Sequence, residues 1–404
     1  MTDTSAISRR MTTSTIVQAI ITYGPVSRAS VAKMTGLSKQ TVSEVVSSLE
    51  TEGWVQTVGR TEGNIGRRAV VYEIVPDAAY VAGIDLGGTK VRVALCNLSG
   101  AVVSEITEPT NPAGGAQIVG QITRLVVEAA KTRNLPSEKV RAAVIGVPGV
   151  LEPDTGHIKM APNIADVDKL NFPALLEEQL GIEVIVENDV NLAALGEHWM
   201  TQRAGYDDLV FVSVGTGIGA GLVIGGELVR GATGAAGEIG FLPFGSDPHE
   251  PESLAVGGLE RVTATSAIID FYKRETGRSL SVPEIFDASS DGDTVAKESL
   301  RSAANQIARA IVAICSVVDP SSVVLGGSIG ARQELLDLIR QEIAKCFPRP
   351  IKVESSALGV HAALAGATSV ALSRLHVAVF AKGLPGTKID VPAPKLKTFQ
   401  QGAA

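Results

Sequence analysis

Three short stretches hold residue types suited to phosphate and hydroxyl groups. Residues 85–90 read DLGGTK, residues 187–191 read ENDVN, and residues 214–221 read VGTGIGAG. Glycine lets backbone N–H groups approach phosphate oxygens without a Cβ in the way, and hydroxyls such as Thr89 and Thr216 add donors. A carboxylate at Asp85 stands where Mg²⁺ would bridge phosphates. A fourth stretch, residues 234–260, surrounds Glu238 with glycines and carries His249 but no cysteine.

Each motif needs an element to hold it. Residues 80–104 and 209–231 both read as strand, Gly-rich turn and strand, which points to one hairpin used twice after an internal duplication. GTGIGAG has the look of a dinucleotide fingerprint, but that fingerprint must open a helix, and residues 220–224 read as a strand. RAAVIGVPGV (141–150) is a buried strand ending in Pro-Gly. Residues 182–199 form a strand that delivers Glu187, Asn188, Asp189 and Asn191 to the start of a helix, and 319–330 form a strand ending at Gly326–Gly327. Asp189, taken alone, is either a helix N-cap or a carboxylate aimed at a hydroxyl.

The first 76 residues read differently. Ile16, Val17, Ile20 and Ile21 share one helical face, closed by Gly24 and Pro25. Ser27 caps a second helix ending at Gly36. Ser38 caps a third, with Val42, Val45, Val46 and Leu49 inward and Gly53 as its stop. Residues 54–74 alternate as two strands around a Gly-rich turn, completing a winged helix-turn-helix. The start of the third helix then enters the major groove, which assigns DNA contact to Ser38, Lys39, Gln40, Thr41 and Ser43. The wing adds Arg60, Arg67 and Arg68, and a Gly-Arg-Arg tip suits a narrow minor groove. The competing reading is a small helical module that binds protein instead of DNA.

Composition bounds these readings. The 404 residues are 45% hydrophobic with 42 dispersed glycines, enough for two or three globular domains. Cys96, Cys315 and Cys346 are too few and too scattered for a disulfide framework or a thiolate cluster. No apolar run approaches the ~20 residues of a bilayer span and no signal-peptide core is present, so a cytoplasmic protein is expected. The net charge is −7, yet residues 1–70 hold eight Lys/Arg against five Asp/Glu, a balance of +3 that leaves −10 for the rest. Nucleic acid contact would be confined to that basic head. The Pro-, Gly- and Lys-rich segment 377–404 is expected to be disordered.

DLGGTK, ENDVN and VGTGIGAG at these separations, behind a winged head, resemble the ROK family of sugar kinases and repressors, within the superfamily joining hexokinase and actin. The resemblance runs from about Met11 to about Arg374. It implies an α/β protein with a winged helix-turn-helix over 1–76 and a two-lobed, actin-like ATPase-fold body over 77–376. It further implies that Asp85, Gly87, Gly88, Thr89 and Lys90, with Gly215, Thr216, Gly217 and Gly219, face ATP phosphates, and that Gly326 and Gly327 lie near the adenosine. Asp189 would be the general base toward a sugar hydroxyl in a kinase. Sugar contacts would come from Gly149, Asn163, Asn188, Asp189, Glu238 and Glu260, with Glu187 as scaffold.

One departure stands out. Where the family pattern has a histidine and three cysteines for a structural zinc, this chain has Phe241 and, over 247–258, no cysteine. His249 with Asp247, Glu250 and Glu252 could make an oxygen-rich site on paper, but tetrahedral zinc needs four ligands in fixed geometry. Zinc is therefore expected to be absent, with Phe241, Leu242 and Phe244 bracing the loop by apolar packing. The implied function is a sugar-responsive transcriptional regulator, of the repressor kind. It would bind operator DNA and a sugar or sugar derivative as a homodimer or homotetramer, with no cofactor needed for DNA binding and no membrane contact. The alternative is an active or bifunctional ATP-dependent sugar kinase using Mg–ATP on a hexose or amino sugar.

Overall fold

The computed structural model describes residues 4–60, 69–152, 154–161, 164–201, 207–384, 386–394 and 396. Arg67, Arg68 and Asn163, assigned above to DNA and sugar, lie outside the described residues.

Local capping chemistry shapes the head. Helix α1 (Thr4–Tyr23) starts well before the apolar face that opens at Ile16 and buries Ile16, Val17, Ala19 and Ile20. After strand β1 (Val26–Ser27), the Ser27 hydroxyl accepts the Ser30 N–H at 3.1 Å and starts α2 (Arg28–Thr35), which Gly36 ends at φ 70°. Ser38 does the same for α3 (Lys39–Thr51), accepting the Thr41 N–H at 3.0 Å. Val42, Val46 and Leu49 of α3 are buried, as the 3.6-residue period requires. Strands β2 (Val55–Arg60) and β3 (Val70–Ile74) complete a three-stranded sheet ordered β1-β3-β2. Arg28 binds the sub-elements together: it donates to Ser43 at 2.9 Å and Ser47 at 3.1 Å, and its guanidinium lies 4.8 Å from the Tyr72 ring centre.

The body is built from the expected duplication. β4 (Tyr80–Leu86), β5 (Lys90–Asn97) and β6 (Val102–Pro109) form an antiparallel meander, on which α4 (Gly115–Thr132) packs. β7 (Val140–Val147) joins parallel to β4. Short strands β8 (Val150–Leu151) and β9 (Ile158–Lys159) and helix α5 (Phe172–Leu180) follow, before β10 (Glu183–Asn188) closes a sheet ordered β10-β7-β4-β5-β6.

After α6 (Asp189–Thr201), the second meander comprises β11 (Leu209–Val214), β12 (Ile218–Ile224) and β13 (Glu227–Leu228). Helices α7 (Pro251–Val256), α8 (Glu260–Thr263), α9 (Thr265–Thr276), α10 (Val282–Ser290) and α11 (Thr294–Val318) lead to β14 (Ser322–Gly326). Then come α12 (Gly327–Gly330), α13 (Gln333–Cys346), β15 (Val353–Ser355) and α14 (Ala362–Phe380). The second sheet is ordered β15-β14-β11-β12-β13, the same arrangement as the first, with β14 parallel to β11 as β7 is to β4. This is the α/β, actin-like fold that the motifs imply. Two units divide the chain: residues 1–149, 153–187 and 367–404 make one, and 150–152 with 188–366 the other.

Two composition-based expectations are corrected. The segment beyond 377 is not wholly without structure. α14 runs to Phe380, and Phe380, Ala381 and Ile389 are buried in the apolar core of the head with Ile16, Ile20 and Val46. The Gln18 side chain clasps this strap on both sides, donating to the Asp390 carbonyl at 2.9 Å and accepting the Asp390 N–H at 2.8 Å. Proline and glycine density misled here because a few apolar residues suffice when the head presents a groove for them. Second, Gly359–Phe380 is long and apolar enough to cross a membrane by composition. Leu364, Ala365, Ala367, Ala371 and Leu372 are nevertheless fully buried in protein, as in the core helix of a globular fold.

His376 of α14 is fully buried, stacks on Phe380 with ring centres 5.9 Å apart, and Phe380 meets Trp54 of the head edge-on at 5.5 Å. Burial pushes its pKa from the ordinary 6.5 to about 4. The unfolded chain therefore takes up this proton first, so the stability His376 contributes is full above 6.5 and lost as pH falls toward 4. His376→Phe is expected to flatten the fall in melting temperature between pH 6.5 and pH 4, as measured by calorimetry across that range.

Candidate functional site

Strand β12 gathers the polar residues of the second unit. On one side, α6 comes so near that a Cβ on Gly221 would lie 2.6 Å from the Val190 carbonyl oxygen, and one on Gly219 3.3 Å from Val190 Cγ2. On another, a Cβ on Gly237 would lie 1.8 Å from the Ala220 carbonyl oxygen, and Gly237 has φ +96°. Only glycine permits such contact. It places Glu238 beside β12, where a small side chain at 237 was the necessary condition.

Asn188 and Asp189 sit at the junction of β10 with α6. The Asn188 side-chain oxygen accepts both the Val190 N–H at 2.9 Å and the Asn191 N–H at 3.0 Å, so Asn188 is the cap of α6. Asp189 is the first helical residue, half-buried, with Oδ1 accepting the Val190 N–H at 2.9 Å. The choice between cap and hydroxyl-facing carboxylate thus falls on two residues: the asparagine does most of the capping. Its acidic neighbour lies at the positive end of the helix dipole. Glu197, further along α6, is buried and accepts hydrogen bonds from the Ser356 hydroxyl and, at 3.1 Å, the Leu358 N–H, anchoring the segment before α14. Burial raises its pKa, and those bonds oppose the rise.

Glu238 and Glu260 form an acidic pair. Glu260 Oε2 accepts the Ile218 N–H at 3.0 Å, and a Cβ on Gly217 would lie 2.5 Å from that same oxygen. Burial raises the pKa of Glu238. Burial also raises that of Glu260, the Ile218 N–H lowers it, and the charge of Glu238 raises it again. Two half-buried carboxylates close enough to feel each other's charge suit a ligand that brings hydroxyl donors.

The loop between them is braced, though not as expected. Leu242 and Phe244 pack on the core, and Arg309 lies 5.3 Å from the Phe244 ring centre, but Phe241 is 41% exposed and packs little. Polar contacts do the remaining work. Ser246 donates to the Gly258 carbonyl at 2.8 Å, Arg261 donates to Ser253 at 2.7 Å, and Arg261 pairs with Glu250. Arg261 was missed by sequence reasoning, since nothing in its local pattern marks it. His249, Asp247, Glu250 and Glu252 do not converge: among the described residues, no group of three or more His, Cys, Asp or Glu side chains is placed to hold a metal.

The glycine turns have structural duties of their own. A Cβ on Gly326 would strike the Phe211 ring at 2.1 Å, and one on Gly327, at φ +85°, the Val214 carbonyl at 2.4 Å. Gly215 lies against Ser328, which brings the VGTGIGAG turn and the start of α12 together, with Thr216 exposed at the tip. Gly149, at φ +99°, is forced by the Lys159 carbonyl, 2.3 Å from its would-be Cβ. In the first unit, Gly88, Thr89 and Lys90 are exposed at the β4–β5 turn, while the Gly87 N–H is already bonded to the Lys90 carbonyl at 2.9 Å.

Asp85 does not fit a Mg²⁺ ligand in this arrangement. Its Oδ2 is 2.9 Å from Arg92 Nη1, and the two residues face each other across β4 and β5. The guanidinium already engages that carboxylate. Arg92 was legible in principle, because strand alternation from Lys90 puts it on the face of Asp85.

On the head, Ser38, Lys39 and Gln40 are exposed at the start of α3, and Thr41 is half-buried. Arg60 is exposed at the end of β2. Ser43 is half-buried with its hydroxyl held by Arg28, so it serves the α2–α3 packing.

The ROK family profile matches residues 81–374. The chain belongs to the ROK family. Its ROK relatives include a putative xylose repressor of Caldicellulosiruptor sp. (strain Rt8B.4), 28% identical over 377 residues, covering 89% of this chain and 94% of the repressor. A glucokinase of Halalkalibacterium halodurans is 31% identical over 299 residues, covering 68% of this chain and 88% of the kinase. A solved ROK family transcriptional regulator, a homologue of the E. coli MLC protein, superimposes with a TM-score of 0.75 at 21% identity, covering 93% of this chain and 98% of its own. At that identity the likeness speaks for the fold.

A raised carboxyl pKa means that the folded chain holds its proton more firmly than the unfolded chain. The stability tied to Glu238 is then fully present below 4.5 and lost as pH rises through its raised value. Glu238→Gln is expected to melt about 1–3 °C higher than the native chain at pH 7.5. The gain should disappear near pH 4.5, which paired thermal scans at the two pH values would read.

Proposed function

We propose that this chain is a sugar-responsive transcriptional regulator, of the repressor kind. The observation that carries the reading is the head: a Ser38-capped recognition helix with Lys39 and Gln40 exposed at its start, on a chain whose alignment with a xylose repressor extends well beyond residues 81–374. Residues 1–76 are the DNA-binding domain in this reading, joined by the strap after α14, and 77–376 the effector domain. Lys39 and Arg60, with Arg67 and Arg68 of the wing, meet phosphates or the minor groove, and Gln40 reads a base edge. Two such heads in a homodimer or homotetramer would span half-sites one helical turn apart. An operator-binding protein belongs where the chromosome is, hence the cytoplasm.

The effector of this reading is a sugar or sugar derivative. Asn188, Asp189, Glu238 and Glu260 accept or donate to its hydroxyls in this reading. Ligand binding changes operator affinity by linkage, which requires the sugar to bind the two states of the protein unequally.

Binding to labelled DNA from the chain's own promoter region, followed by anisotropy at several salt concentrations, tests the head. Lys39→Ala should weaken binding to all sequences and reduce the salt slope by about one, while Gln40→Ala should cost about 1–3 kcal/mol and relax specificity. Binding that survives deletion of residues 1–75 would refute the assignment.

The 31% identical glucokinase supports a second reading, a sugar kinase in which Asp189 takes a proton from a sugar hydroxyl. Arg92 already engages the Asp85 carboxylate that Mg²⁺ would need in that reading. The protein mixed with ATP, Mg²⁺ and a panel of hexoses, amino sugars and N-acetyl sugars is expected to release no ADP above background, while one sugar raises its melting temperature. Sustained ADP release with any sugar would favour the kinase.

A further inference from the structure

The β4–β5 hairpin pairs Asp85 directly with Arg92, seven residues on and across the turn. The two side chains are only 12% and 18% exposed, and Nη1 donates to Oδ2 at 2.9 Å. A guanidinium is a permanent cation. Its planar donors also match a carboxylate well. A buried carboxylate without a cation would recruit one, whereas this carboxylate already has a covalently tethered one. Mg²⁺ needs oxygen ligands in near-ideal octahedral geometry and keeps much of its water. At Asp85 it would have to displace the guanidinium or sit against it, and both cost free energy.

We propose that Arg92 is a built-in counter-cation that withholds Asp85 from divalent metal, making the turn at Gly87–Lys90 indifferent to Mg²⁺–nucleotide. It is a specificity-determining residue: with arginine at 92, the hairpin keeps the fold's shape without its metal. This inference rests on the regulator reading above and deepens it, because a sensor that ignores Mg–ATP answers to its sugar alone.

The test uses the full chain with Mn²⁺ and ADP as probes. Mn²⁺ binding is read by electron paramagnetic resonance, and ADP binding by calorimetry with Mg²⁺ or with EDTA. The native protein and Arg92→Lys are expected to show no Mn²⁺ site that depends on Asp85, and the same ADP affinity or lack of it in both conditions. Arg92→Gln, verified as folded by circular dichroism, should gain a Mn²⁺ site. Its ADP binding should become at least about tenfold tighter with Mg²⁺. Asp85→Asn added to Arg92→Gln should abolish both gains.

Two results would overturn the proposal: a Mn²⁺ site in the native protein that Asp85→Asn removes, or a folded Arg92→Gln that gains none. The first comparison needs no Arg92 variant, so it stands even if Arg92→Gln fails to fold. Metal binding by the native protein together with sugar-dependent operator binding would defeat this inference and leave the regulator reading intact. Loss of operator binding with no native metal site would do the reverse.

Discussion

The close approach of neighbouring atoms to glycine backbone around β12 is the constraint on which the candidate site depends. A Cβ on Gly221, Gly237 or Gly217 would fall 2.6, 1.8 or 2.5 Å from its neighbour. Those three positions set where α6, the 234–240 segment and the Glu260 carboxylate can lie. Because each is glycine, Asn188 and Asp189 at the start of α6, Glu238 after the tight turn and Glu260 at the start of α8 all come to the same strand. The same principle recurs where α6 meets the start of α14: a Cβ on Gly196 would be 2.1 Å from the Ala362 carbonyl and one on Gly366 1.9 Å from that of Leu192. Helices can pack this closely only where side chains vanish.

Three acidic residues of the second unit are held at a cost to stability. Burial raises the pKa of Glu238, Glu260 and Glu197, which is an energetic cost at neutral pH. Glu197 recovers part of it through bonds to Ser356 and Leu358, and Glu260 through the Ile218 N–H. Glu238 and Glu260, both perturbed and gathered at one strand, make that strand a functional-site candidate.

At two places an arginine pairs with a carboxylate beside a glycine-rich segment. Arg92 engages Asp85 in the first hairpin, and Arg261, bonded to Glu250 and Ser253, ties the loop before α8. Guanidinium groups suit both tasks because they stay charged and offer several donors in fixed directions. Arg28 does related work in the head, where one side chain reaches Ser43, Ser47 and the face of Tyr72.

Sequence alone determined what depends on local chemistry. Ser27 and Ser38 cap helices because their side chains meet orphan N–H groups within three residues, and Gly36 stops one because it adopts a positive φ. Strand alternation and Gly-rich turns likewise made the duplicated hairpin legible, and motif spacing made the family legible. What needed the tertiary structure were the partners distant in the chain. Gln18 clasping Asp390, Phe380 against Trp54, Arg261 reaching Glu250 and Asn188 displacing Asp189 as the cap depend on packing and geometry that no local pattern encodes. Part of a segment rich in proline and glycine, at Phe380, Ala381 and Ile389, became buried, and an expected brace at Phe241 became exposed, for one physical reason. Burial is decided by the shape of the surface a residue meets, and that surface exists only once the chain has folded.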